Sequence, residues 1–222
     1  MKSARTRVKV CGITRVADAL GAAYAGADAI GMVFWAGTPR CVDVQRAREI
    51  AAALPPFVTR VALFVDPSPE EVRAVLGAVS IDALQFHGDE PRAFCGAFQR
   101  PYLKAIQVKD GVDLLEYAAR YGDASGFLFD TYRAGDLPGG TGHTFDWTRL
   151  SSSLRAGLPA PLILSGGLNP ENVGAAIRAV RPWAVDVSSG VEERGADGEP
   201  RKGLKDAARI AAFIHGVSNA EV

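Results

Sequence analysis

Cysteine and histidine are scarce in this sequence, charge is balanced, and no apolar run is long. The three cysteines, Cys11, Cys41 and Cys95, are widely spaced and form no C-x-x-C pair. That argues against a disulfide framework or a structural zinc site and fits a reducing cytoplasm. The three histidines, His87, His143 and His215, are scattered, and only His87 closes an apolar run. A catalytic metal needs several converging His and carboxylate ligands, so no metal is expected. Lys+Arg and Asp+Glu are both 25, giving a formal net charge of zero. A nucleic-acid-tracking surface needs a basic excess, so nucleic acid is not expected as a partner, although a local anion site stays open. No stretch approaches the ~18 apolar residues of a membrane span. The basic opening MKSARTRVKV lacks the apolar core of a signal peptide. A soluble, cytoplasmic protein without a membrane partner is the expectation.

What is present is a repeated alternation. Apolar residues make up 48% of the 222, enough for one large core, and one domain over residues 1–222 is expected. Eight short runs rich in Val, Ile, Leu and Phe recur: RVKVCGI, AIGMVF, RVALFV, ALQFHG, YLKAIQ, GFLFDT, LILSGG and AVDVSSG. Such runs read as parallel strands buried on both faces. Between them lie segments with helical spacing, from RVADALGAAYAGA to a closing KGLKDAARIAAFI. Helix-start signals stand at Asp43, at Ser68 with Glu71 three residues later, and at Asn169 before Pro170. Eight strand–helix units predict a (β/α)8 TIM barrel with a parallel eight-stranded core. An open doubly wound sheet fits less well, because no G-x-G-x-x-G follows the first run.

In such barrels the site is built where strands end, from the loops that follow. The exits of strands two, six and eight are long: WAGTPRC, YRAGDLPGGTGHT and VEERGADGEPRKG. Three glycine clusters fall late in the chain, in PGGTG, LSGGL and SSGVE. Glycine lets backbone N–H groups approach an anion, and barrels often hold phosphate between the loops after strands seven and eight. The clusters are read as a phosphate site rather than as turns alone.

Cys11 ends the first strand and Asp130 the sixth, so both face one barrel mouth. A carboxyl at the lip of an apolar barrel suits a general acid. A buried cysteine is often only a small apolar residue, but opposite an acid it becomes a candidate base. Lys9, two residues back on the same strand face, is placed to support a thiolate. Arg40, in GTPR, is either a carboxylate clamp or a solvated loop charge.

The ordered motifs KVCGIT, GMVFWAGTPRCV, LQFHGDE, FLFDT, GGTGHTFDW, LSGGLNPENV and VDVSSGVE resemble the phosphoribosylanthranilate isomerase family, along nearly the whole chain. The resemblance implies an enzyme of tryptophan biosynthesis that rearranges N-(5-phosphoribosyl)anthranilate, a small-molecule substrate, without cofactor or metal. It implies Cys11 as general base, Asp130 as general acid and Arg40 on the substrate's aromatic carboxylate. Gly166, Gly167, Ser189 and Gly190 would bind phosphate, and Gly139, Gly140, Thr141 and Gly142 would lie in a loop over the ligand. Asp186, within VDVSSGVE, joins the substrate-binding set. Trp35, Gly37, Thr38 and Phe86 stand where the family more often has other residues. Other readings are a phosphate-binding barrel acting on a related aminosugar phosphate, or a non-catalytic sugar-phosphate binder. Indole-glycerol-phosphate synthase chemistry leans on strand-end lysines and glutamates, and Lys104 is not at a strand end. A monomer and a homodimer are both compatible with the sequence.

Overall fold

The structure is a computed structural model that describes residues 5–131 and 144–220. All eight apolar runs are strands. They are β1 (Arg7–Cys11), β2 (Ala29–Val33), β3 (Thr59–Phe64), β4 (Ala83–Phe86), β5 (Tyr102–Val108), β6 (Gly126–Thr131), β7 (Leu162–Leu164) and β8 (Ala184–Val187). Each pairs in parallel with the next, and β8 pairs back onto β1, closing the barrel. The helices are α1 (Val16–Ala25), α2 (Val44–Ala53), α3 (Pro69–Ala78), α4 (Arg92–Cys95), α5 (Leu114–Ala119), α6 (Ser152–Gly157), α7 (Val173–Val180) and α8 (Ala207–Ser218).

Strand side chains alternate between two apolar compartments, as a period of two requires. Val8, Val10, Ile30, Met32, Phe64, Phe86, Phe127 and Phe129 point outward and pack beneath the helices in one continuous core. Ala105, Leu128, Ile163 and Ala184 form a separate plug inside the barrel. Phe86 is a hub of the outer core, its ring lying against Phe64, Phe94, Phe98 and Tyr102. Truncating it to alanine would cost about 3–5 kcal/mol.

Two helix starts are built as read. Asp43 accepts from the Arg46 N–H, and Ser68 with Glu71 forms a reciprocal capping box. At the third, Asn169 also caps: its side chain accepts from the N–H groups of Glu171 and Asn172 and its carbonyl from the Val173 N–H, in a turn that leads into α7 at Val173. Asn172 in turn accepts from Asn169 N–H and donates to the Gly167 carbonyl, bracing the β7 exit. The closing segment differs. Its KGLK is not helical but belongs to β10 (Pro200–Lys205), which pairs antiparallel with β9 (Glu192–Arg194). The long exit after β8 is therefore a hairpin, and α8 starts only at Ala207 beyond the Asp206 cap.

Candidate active site

The inward positions change character toward the C-terminal mouth, from the apolar plug to charge. Lys9 and Asp186 face each other in the β1/β8 register, and Lys9 Nζ lies 2.8 Å from Asp186 Oδ1. The Ser165 hydroxyl donates to Asp186 Oδ2 at 3.4 Å. Two residues further along β1, on the same face, Cys11 is buried beside the Lys9 ammonium. Burial pushes the Cys11 thiol above its ordinary pKa, and the Lys9 charge pulls part of the way back. Burial alone would lower Lys9, but Asp186 and Cys11 outweigh it and leave the ammonium more firmly protonated than usual. Cys11, Val33 and Leu63 also form a small apolar wall, with Trp35 against it.

Asp130 closes β6 and is buried. Its Oδ1 accepts from the Thr131 N–H at 2.8 Å, and its Oδ2 lies 3.3 Å from His87 Nε2. Gly166 is packed against this carboxylate. A Cβ there would stand 2.3 Å from Thr131 Oγ1 and 3.1 Å from Asp130 Oδ1, on a backbone with φ of +86°. The glycine of LSGG thus seats the end of β6 as well as opening backbone to a ligand.

The exits of β7 and β8 touch backbone to backbone. A Cβ on Gly190 would fall 1.9 Å from the Leu168 carbonyl oxygen, so only glycine fits. Ser189 and Gly190 sit in a short 3-10 turn, Ser189–Val191, beside Gly166 and Gly167 of the neighbouring loop. This is the place where barrels of this class receive a phosphate group. Gly139, Gly140, Thr141 and Gly142 lie outside the described residues.

Arg40 is not a solvated loop charge. It is buried, and its Nε and Nη2 bind both oxygens of Glu192 at 2.7 and 2.9 Å. Glu192 is fully buried and also accepts from Lys205 Nζ at 3.2 Å and Gly203 N–H at 2.8 Å. Burial would raise the Glu192 carboxyl, yet Arg40 and Lys205 hold it below its ordinary range. Burial dominates at Lys205 and lowers it. Both cations share this one carboxylate.

Sequence reasoning had not assigned roles to Gln85, His87, Glu192 or Lys205. His87 had counted only against a metal. The signal that marks it is position: it follows Gln85 by two residues and so extends the inward face of β4.

Fold and site define the class: a (β/α)8 barrel with a candidate proton-transfer pair and glycine-lined loops at its C-terminal mouth. The family model for N-(5'-phosphoribosyl)anthranilate (PRA) isomerase matches residues 8–216. The N-(5'-phosphoribosyl)anthranilate isomerase of Alcanivorax borkumensis is 54% identical over 95% of this chain and 94% of its own. The crystal structure of the Thermotoga maritima phosphoribosyl anthranilate isomerase superposes with a TM-score of 0.83 at 40% identity, covering 96% of this chain and 99% of that one. A crystal structure of phosphoribosyl anthranilate isomerase in complex with reduced 1-(o-carboxyphenylamino)-1-deoxyribulose 5-phosphate superposes with a TM-score of 0.80 at 39% identity and the same coverage. The chain belongs to the N-(5'-phosphoribosyl)anthranilate isomerase family.

Proposed function

We propose that the chain isomerises N-(5-phosphoribosyl)anthranilate to 1-(2-carboxyphenylamino)-1-deoxyribulose 5-phosphate, an Amadori rearrangement of L-tryptophan biosynthesis. The observation that carries this reading is the pairing of Cys11 and Asp130 across one barrel mouth in a chain of this family. Asp130 gives its proton to the furanose ring oxygen. The C1–O bond breaks as the anilino nitrogen supplies its lone pair, leaving an open-chain iminium. The Cys11 thiolate takes the C2 proton, and the C–H electrons neutralise the iminium to an enolamine. Tautomerisation then places the carbonyl at C2. Each positioned acid or base contributes ~10²–10⁴-fold. The net change is internal to the sugar, so no external oxidant or reductant takes part.

The remaining residues orient the substrate, which is a further large contribution. Backbone at Gly166, Gly167, Ser189 and Gly190 receives the phosphate. Arg40 takes the aromatic carboxylate, its guanidinium plane fixed by Glu192. Asp186 acts as the counter-ion that holds Lys9 under the thiol.

The test follows the fluorescence of freshly formed phosphoribosylanthranilate with wild type, Cys11→Ala and Asp130→Ala. Wild type turns over, and each variant loses at least ~10² in kcat while still binding a reduced product analogue. Fast turnover by both variants would overturn the acid–base assignment, and none by folded wild type would overturn the substrate.

A further inference from the structure

Behind Asp130 lies a buried pair of side chains that the reaction scheme above does not use. Gln85 is fully buried on β4, and its Nε2 is 3.1 Å from His87 Nδ1. On the other side of the ring, His87 Nε2 is 3.3 Å from Asp130 Oδ2 but too poorly aligned to make a hydrogen bond, and among the described residues it has no other partner. Gln85 Oε1 likewise has no partner. A buried nitrogen left unpaired next to a carboxylate calls for an account, because buried polar atoms are nearly always satisfied.

The account starts from the tautomer. A neutral imidazole has one donor and one acceptor nitrogen, and the bond made at one decides the role of the other. The Gln85 amide donates to Nδ1, so Nδ1 is the acceptor and the ring proton sits on Nε2, facing Asp130. The opposite amide orientation would put an oxygen on Nδ1, move the proton there and turn a lone pair toward a carboxylate. Asp130 already takes the Thr131 N–H on Oδ1, so the donor needed on Oδ2 is the one the observed orientation supplies.

We infer that Gln85 and His87 are positioning residues that hold an N–H donor ready for the charge Asp130 acquires when it gives up its proton. The inference rests on the reading of Asp130 as the general acid. Before transfer, Asp130 carries its proton toward the substrate, and the 3.3 Å contact to Nε2 is slack. After transfer the carboxylate is negative, and the Nε2–H and the Thr131 N–H each take one oxygen. No proton passes through the imidazole, which keeps the same tautomer throughout. A donor fixed in advance where charge will develop favours the transition state over the ground state. The strand end that carries His87 is itself anchored. Glu90 accepts from the Gly88 N–H at 3.0 Å and from the buried Lys104 at 2.9 Å.

The experiment reads the tautomer directly. The chain has three histidines, so long-range proton–nitrogen NMR of the full-length wild-type protein has three imidazoles to assign. The expected result is a neutral His87 protonated at Nε2. A neutral ring protonated at Nδ1, or an imidazolium at neutral pH, would overturn the inference without any variant. Gln85→Glu places an acceptor on Nδ1 and is expected to move the proton there. Gln85→Met keeps the volume and removes the donor, serving if the buried glutamate prevents folding. Either variant should lower kcat by ~10-fold or more with KM within about twofold, the signature of an interaction made after substrate binds. In an Asp130→Asn background the same change should cost nothing further, since its effect passes through Asp130. Unchanged kcat in Gln85→Met, or additive losses, would overturn the role. Wild type and Asp130→Ala are measured first: no turnover by folded wild type overturns the substrate, fast turnover by Asp130→Ala overturns the reading of Asp130 as acid, and a wrong tautomer with both as expected overturns the pair's role alone.

Discussion

Lys9 and Asp186 meet at 2.8 Å inside the barrel, each almost fully buried, directly beneath the Cys11 thiol. The aspartate holds the lysine, and the lysine lowers the thiol against the rise that burial imposes. Lys9→Met removes that lowering and leaves the Asp186 charge without its cation, and both changes push Cys11 further up. If the thiolate is the base, activity rises with pH as the thiol ionises, and the variant's rising limb lies at higher pH. Turnover near pH 7 should fall at least ~10-fold and recover toward alkaline pH. A pH–rate profile whose limb does not move would refute the role of Lys9.

Glu192 serves two buried cations, Arg40 and Lys205. Glu192→Ala takes away the carboxylate they share, and the expected loss is about 3–5 kcal/mol by urea unfolding at neutral pH. The folded carboxyl is held below its ordinary value. Its stabilisation is therefore full above the ordinary carboxylate range and drains away as pH falls through the folded value. The gap between wild type and variant should narrow in acid, and a gap that stays constant down to about pH 3 would contradict this linkage.

Gly166→Ala drives a methyl into Thr131 and toward Asp130 on a left-handed backbone. The strained backbone destabilises by more than about 1 kcal/mol. Displacement of the Asp130 carboxylate should also lower kcat by ~10²-fold, as misplaced catalytic groups do. Measured stability and kcat both equal to wild type would show that the close packing is not needed.

Trp35 and Gly37, both departures from the usual family pattern, are one feature. The indole lies over Gly37, where a Cβ would come within 2.3 Å of Trp35 Cζ2. Gly37→Ala should displace the indole from the wall it shares with Cys11, Val33 and Leu63, shift the intrinsic tryptophan emission and raise KM several-fold. A variant with wild-type emission and KM would separate the two residues again.

The eight strands were legible because each is buried on both faces, and such strands are written as apolar runs. The glycines and the two strand-end groups were legible because a barrel mouth is assembled from strand ends. The partners were not. Arg40 and Glu192 are 152 residues apart and Lys9 and Asp186 are 177, so no local pattern encodes either pair. The same reason hid β10. PRKGLK is too polar to read as a strand, and it is held there by Glu192, which takes Lys205 and the Gly203 N–H. At α7, Asn169–Pro170 carries a helix-start signal, and Asn169 caps the turn that leads into the helix. His87 was visible at a strand end, but only the closed barrel shows that the end of β4 faces the end of β6.

The 177-residue separation of Lys9 from Asp186 also has a meaning in time. On a ribosome Cys11 emerges with the first strand, and its lysine emerges with it. The aspartate that fixes that lysine arrives only with the eighth strand, when the barrel can close. Chains fold as they are made, but contacts this distant in sequence wait until late. An unfinished chain therefore carries the thiol without its charge pair, and the base is assembled only once the eighth strand has been made.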